Sequence, residues 1–483
     1  MQTRRDRVQA HNFTVGRLGT AMLEGDPDAV DAPMRRTRTG TYIGIALGAL
    51  ICVGFLVFGL IFPGGAANWR QDGNLVVMRE TGATYMYGEG ALRPVANYTS
   101  ARLIAGGEPQ VSRVSAESIM GERMGAPVGI PGAPDTLPAV DAGATSLWRL
   151  CALPPEEDGG EPRTALTVAP DPGVGAPLGD RAALVTGPDG THHLLWQGRR
   201  LRFDEEAGAL QALGYGTTPA IAVSQEFLDT VPPAADLSAV EVPGAGEEGP
   251  DIAGAPSRVG QVFTVSGGGQ GDQHFLLTRD GLVPLGVTDA LLLLADPGIR
   301  ETVFGGGESA AVAVDAGEAG AHLAEDADPP RPQSDGVPAE PPEIAPADEG
   351  VPCMVLVDGE SSVGLFPADT VDAWAVPELP GVAPGCPTPD LIGIPNGGGG
   401  VAAAQPAAGR TGSPVLYLVT DAGAKYRIPD NEVLGALGYE PADTVPVPTA
   451  LLRLLPTGPD LSPEAAALPV ADAAAQEEPA TCP

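Results

Sequence analysis

Residues 212–238 read ALGYGTTPAIAVSQEFLDTVPPAADLS, and residues 436–462 read ALGYEPADTVPVPTALLRLLPTGPDLS. They align without a gap at an offset of 224, with ten identities in 27 positions. Leu-Val-Thr stands ahead of both, at 184–186 and 418–420. A second pair matches Gly281-Leu282-Val283-Pro284 to Gly90-Ala91-Leu92-Arg93-Pro94 with one gap, and an Ala-x-Leu helix start follows each. Apolar runs broken by glycine turns surround all four stretches, the pattern of strands and hairpins. The sequence therefore contains four related modules, at 74–120, 181–238, 258–300 and 410–462. The first resembles the third and the second the fourth. Each reads as a β-hairpin followed by a short helix. A unit of about 50 residues buries little surface alone, so the modules must pack on one another or on a common centre.

Two further strand-like regions, within 121–180 and 351–396, supply that centre. They include AVDAGATSLWRLCAL (139–153) and CMVLVDGESSVGLFPADTVDAWAV (353–376). Trp148 and Trp374 lie in them and are expected to stack in the core. The fold class is α+β, with a β-rich body.

Ahead of the body, Tyr42 to Phe62 reads YIGIALGALICVGFLVFGLIF, 21 residues without a charge. At 1.5 Å per residue such a helix spans about 30 Å, the hydrocarbon thickness of a bilayer. Arg35, Arg36 and Arg38 precede it, while Arg70 is the arginine near its far end. Positive flanks stay in the cytoplasm, so the N-terminus is expected inside and the body outside. A cleaved signal peptide would have a shorter apolar core nearer the start, so an anchor is expected. Gly40, Gly44 and Gly48 recur every four residues and mark a helix-packing face. In residues 1–41, Val8, Val15, Leu18 and Met22 fall at helical spacing, with Phe13 among them. They form an amphipathic helix suited to docking a cytoplasmic partner.

Net charge is −35, from 27 basic and 62 acidic residues, and Lys425 is the sole lysine. Nucleic-acid binding and attachment to anionic lipid are excluded as main functions, since both need clustered cations. Acid, proline and alanine dominate 305–350, and to a lesser extent 239–257. Both are expected to be disordered, as is the tail 463–483. Of five cysteines, Cys52 lies in the apolar segment. Cys151, Cys353, Cys386 and Cys482 lie in the outer part, an oxidising space. Four cysteines allow three pairings. Cys151–Cys353 is favoured because both sit in strand-like sequence that can hold disulfide geometry, and Cys386–Cys482 follows by exclusion.

Signals for chemistry are weak. No Gly-Lys-Ser/Thr phosphate loop occurs, and no G-x-S-x-G elbow. His192 and His193 are adjacent in a strand and point to opposite faces. The glycine runs 267–269, 305–307 and 397–400 read as loops. No catalytic, metal or cofactor site is expected, and the chain is expected not to be an enzyme.

The N-terminal stretch Arg4-Arg5-Asp6-Arg7-Val8-Gln9-Ala10-His11-Asn12-Phe13, followed by Arg17 and Gly25-Asp26-Pro27, resembles the opening of the EccB family. So do Pro63-Gly64, Asn74-Leu75-Val76-Val77 and LLPTGP at 454–459. EccB is a membrane core subunit of the actinobacterial type VII (ESX) secretion system. The resemblance implies four repeats around a central β-barrel-like domain bridged by Cys151 and Cys353. It implies self-association and partners that are EccC-, EccD- and EccE-like, with a mycosin-like protease. The ATPase label used for some members is not carried over, for want of a nucleotide motif. The expected role is a structural, membrane-anchored subunit that scaffolds the outer side of the complex. A membrane-anchored envelope hydrolase or a glycan-binding surface module is the alternative.

Overall fold

The computed structural model describes residues 3–24, 34–61, 69–140, 147–157, 159–168, 176–267, 271–325, 329–332, 335–405 and 414–471. Helix α1, Arg4–Glu24, opens with the Thr3 N–H and hydroxyl both donating to the Asp6 carboxylate. The acid in the first turn satisfies one of the free donors of a helix start. Helix α2, Met34–Ile61, contains the window Thr39–Phe58, with a mean hydropathy of 2.3. It is long and apolar enough to cross a membrane.

Among the described residues, the body holds four four-stranded sheets and one of seven. The first small sheet uses Leu75–Met78, Thr84–Gly88, Ala91–Pro94 and Val111–Val114. The second uses Ala183–Thr186, His192–Trp196, Arg199–Arg202 and Ile221–Ala222. Val262–Gly267, Gly271–Thr278, Gly281–Leu285 and Val312–Ala313 make the third; Gly399–Gln405, Leu416–Thr420, Lys425–Ile428 and Thr444–Pro448 make the fourth. All four have one strand order: an antiparallel three-strand meander, with the fourth strand against the first strand's free side. In the last three sheets that added strand is parallel to its neighbour.

Helix Gln225–Thr230 corresponds to Thr449–Leu454, and Ile221–Ala222 falls on Val445-Pro446 of the fourth sheet. Gly214 and Gly438 both take positive φ, 84° and 90°. That conformation is disfavoured for L-side chains, so both copies keep glycine at the bend. Packing, however, joins modules that differ in sequence. Helix Tyr98–Ala105 of the first module meets Asn431–Ala436 of the fourth, and helix Ala209–Ala212 of the second meets Val287–Ala295 of the third.

The central sheet runs Trp374–Ala375, Leu391–Gly393, Arg163–Val168, Leu147–Leu153, Val351–Val357, Glu360–Phe366, Ala176–Pro177. The expected barrel is not formed: the sheet is open among the described residues, and each end is a two-residue strand. A barrel fills its interior with its own side chains. Here Trp148, Leu150, Leu166, Met354 and Leu356 pack instead against Phe227 and Leu228 of the second module and Val419, Leu451 and Leu452 of the fourth. Trp148 is fully buried, whereas Trp374, expected in the core, is 44% exposed on the edge strand.

Val312–Ala313 pairs with Val262–Gly267, and Gly399–Gln405 pairs with Leu416–Thr420, so the run 397–400 is partly strand. The acidic stretches 239–257 and 305–350 are not simply disordered. Val240, Ile252 and Ala319 are buried, and helix Ala316–Ala321 is capped by the Asp315 carboxylate. The Leu282 N–H donates to the His322 carbonyl, and the Ala324 N–H to the Leu282 carbonyl. Average composition hides this order because few apolar residues produce it. In the tail, helix Pro463–Ala467 packs on Tyr98–Ala105 with Ala466 fully buried. Residues 472–483, Cys482 among them, lie outside the described residues.

Candidate assembly and anchoring sites

Strand Leu147–Leu153 pairs antiparallel with Val351–Val357, and the register sets Cys151 directly opposite Cys353. Their sulfurs are bonded, across a sequence separation of 202. Both cysteines are fully buried, in a cluster with Leu153, Ala165, Val351 and Phe366. The bond thus joins two hairpins, one from each half of the chain, at the middle of the central sheet.

The repeated ALGY tyrosines act on the segments leading into those strands. Tyr215 donates its hydroxyl to the Pro342 carbonyl at 2.7 Å, and Tyr439 donates to the Pro138 carbonyl at 2.7 Å. Pro342 precedes the Cys353 strand and Pro138 the Cys151 strand. A phenol held this way remains protonated: burial pushes Tyr215 up to about 12 and raises Tyr439 further. In the first module, Asn97 and Thr99 donate to the Ile130 and Pro134 carbonyls. Between the first and fourth modules this leaves a cleft of about 480 Å³, with Asn97, Asp135, Asp421 and Tyr426 on its wall.

Lys425, the sole lysine, is buried. Its Nζ donates to the Leu455 carbonyl at 2.6 Å and the Thr457 hydroxyl at 2.7 Å, fixing the LLPTGP stretch against strand Lys425–Ile428. Burial pushes its pKa down from 10.5 to about 8. Between pH 8 and 10.5 the folded amine has released a proton that the unfolded chain still holds. Unfolding therefore takes up protons, and stability rises with pH across that window. The contribution is about 3 kcal/mol at full titration. Denaturant unfolding of the detergent-solubilised chain at pH 7.5 and 9.5 should show this rise in wild type and lose it in Lys425→Met. An equal rise in both would refute the assignment.

On α1, Val8, Val15, Leu18 and Met22 fall within one arc at 100° per residue, and Phe13 lies across from it. All five are exposed; Phe13 is 70% and Met22 84% accessible. On α2, nothing within 4 Å would meet a Cβ placed on Gly40, Gly44 or Gly48. His192 contacts Glu205 and His193 is buried on the other face of the strand, as their adjacency requires. Cys386 is described and Cys482 is not, so their pairing lies outside the described residues.

Residues 1–475 match the family model described as type VII secretion system ESX-1, transport TM domain B. The chain belongs to the EccB family. The Mycolicibacterium smegmatis protein named ESX-3 secretion system ATPase EccB3 is 27% identical to it over 501 residues, 95% of this chain and 89% of that one. The Mycobacterium tuberculosis protein named ESX-2 secretion system ATPase EccB2 is 30% identical over 289 residues, 58% of this chain. That match spans 56% of the relative's length. Among solved structures, a chain of an intact ESX-5 inner membrane complex aligns with TM-score 0.63 and 25% identity, covering 97% of this chain and 95% of that one. The EccB3 dimer from the ESX-3 core complex aligns with TM-score 0.65 and 26% identity, covering 82% and 100%.

These names correct one expectation. EccB relatives are named ATPases, so the expectation that this chain is not an enzyme does not stand. It rested on the missing Gly-Lys-Ser/Thr loop, which rules out one phosphate cradle and not nucleotide chemistry in general.

Proposed function

We propose that this EccB-family chain is a membrane-anchored structural subunit of a type VII secretion core complex. In this reading α2 crosses the membrane with α1 in the cytoplasm, and the body stands outside as a scaffold. The four modules are diverged copies of one unit around the central sheet. Val8, Phe13, Val15, Leu18 and Met22 dock on a cytoplasmic partner, and Gly40, Gly44 and Gly48 let a neighbouring helix approach α2 closely. Partners are EccC-, EccD- and EccE-like subunits, a mycosin-like protease and further copies of the chain. Cys386 pairs with Cys482.

One observation carries the reading. Among the described residues, most of the exposed large apolar side chains lie between Val8 and Phe58, and those exposed on the body, such as Met120 and Trp374, are fewer. A soluble protein rarely exposes such a run, and lipid or partner subunits must cover it. The relatives' occurrence in ESX inner-membrane and core complexes supplies the setting.

Orientation is tested by adding protease to intact spheroplasts of cells making an N-terminally tagged copy. The body should be removed, leaving a protected tagged fragment that ends just after α2. A full-length product that becomes cleavable only after lysis would overturn the orientation.

A further inference from the structure

We propose that Arg331 and residues 335–345 form a strap that locks the second and third modules into one rigid arm, with Arg331 as its clamp. This stands independently of the secretion reading.

Arg331 is the sole arginine of the acidic stretch 305–350, which has no lysine. Its Nε donates to the Asp289 carboxylate at 2.8 Å, on helix Val287–Ala295 of the third module. The same guanidinium donates to the Ser238 carbonyl at 2.7 Å and the Asp236 carbonyl at 3.4 Å, at the end of the second module. Side-chain exposure is only 11% for Arg331 and 13% for Asp289. A planar fork that satisfies one carboxylate and two carbonyls on different modules holds both in register.

The rest of the strap repeats this two-sided attachment. On the third module, the Thr288 N–H donates to the Ala339 carbonyl, and Gly286 approaches Ala339 so closely that an added Cβ would meet its oxygen at 3.0 Å. On the second, the Ala235 N–H donates to Asp335 and the Ala182 N–H to Glu343, while Ala345 returns a bond to Ala182. The Tyr215 hydroxyl holds Pro342. Beneath these bonds Val337 and Ile344 pack into the cluster shared by Leu210 and Leu213 of the second module and Leu292 of the third. The helix of the second module in this contact has only four residues, Ala209–Ala212. So short an element offers little surface for a stable joint, and the strap adds what it lacks.

The test places nitroxide labels at Glu206→Cys in the second module and Glu301→Cys in the third, in a Cys52→Ser background of the full chain in detergent. Pulsed EPR should give a narrow distance distribution with Arg331 present. Arg331→Met should widen it at least about twofold, as expected when a hinge replaces a rigid contact. An unchanged width in the folded variant would overturn the proposal. Should Arg331→Met not fold, Tyr215→Phe removes a single strap bond. Hydrogen exchange at the Ala182, Thr288 and Ala345 amides should then quicken together by about threefold or more, through local opening. Wild-type rates at all three would also overturn it.

Discussion

Replacing Cys151 and Cys353 together by alanine should lower the stability of the body by about 4–5 kcal/mol in the chain-entropy view of a cross-link closing about 200 residues. The expected loss is large because of where the bond lies. It joins strands that arrive from opposite halves of the chain, at a register position inside the central sheet. Without it, the unfolded chain regains the freedom of the intervening second and third modules, and central pairing must be reached by diffusion across that loop. Both sulfurs are buried among Leu153, Ala165 and Phe366, so a small packing loss adds to the entropy. Urea unfolding without reductant measures the effect directly, and wild type in strong reductant should approach the variant. A variant that unfolds at the wild-type midpoint would show that the interlocked modules, not the cross-link, hold the centre.

The second large effect is expected on assembly rather than stability. Phe13→Asp, Leu18→Asp and Met22→Asp together place three carboxylates on a helix whose apolar side chains are open to their surroundings. Substitution of exposed side chains in a separate unit should change the unfolding of the body by less than about 0.5 kcal/mol. Recovery of partner subunits should fall at least about tenfold, because anchors of this kind carry most of an interface's energy. Loss of body stability together with partners would mean that α1 serves the fold. Full recovery of partners would mean that docking occurs elsewhere.

What the sequence revealed follows from what is local. The ALGY repeat was legible because Gly214 and Gly438 answer one backbone requirement, and because the helices 225–230 and 449–454 lie at the same offset. The cysteine pairing was legible because strand-like sequence around positions 151 and 353 could align them. The crosswise packing, first module on fourth and second on third, was not legible. It depends on surfaces such as Arg102, whose Nε donates to the Ala436 carbonyl 334 positions away. Nor was the order in 305–350: Arg331, Val337 and Ile344 are three residues in a stretch whose average composition reads as solvated, and their partners lie in other modules. The central sheet was expected to close only because the family resemblance implied a barrel-like centre. It stays open because the second and fourth modules cover it. Trp374, read as a core aromatic, sits on the edge strand that this open sheet leaves exposed.

The central claim is that the chain is anchored by α2 and built into a secretion complex through α1. The most direct measurement is gentle detergent extraction of an affinity-tagged copy from its native membrane, followed by sizing and mass spectrometry of what accompanies it. The expected result is a high-mass assembly containing an EccC-like ATPase and a multi-spanning EccD-like subunit, lost when residues 1–30 are removed. A tagged chain that elutes alone, with or without those residues, would contradict it.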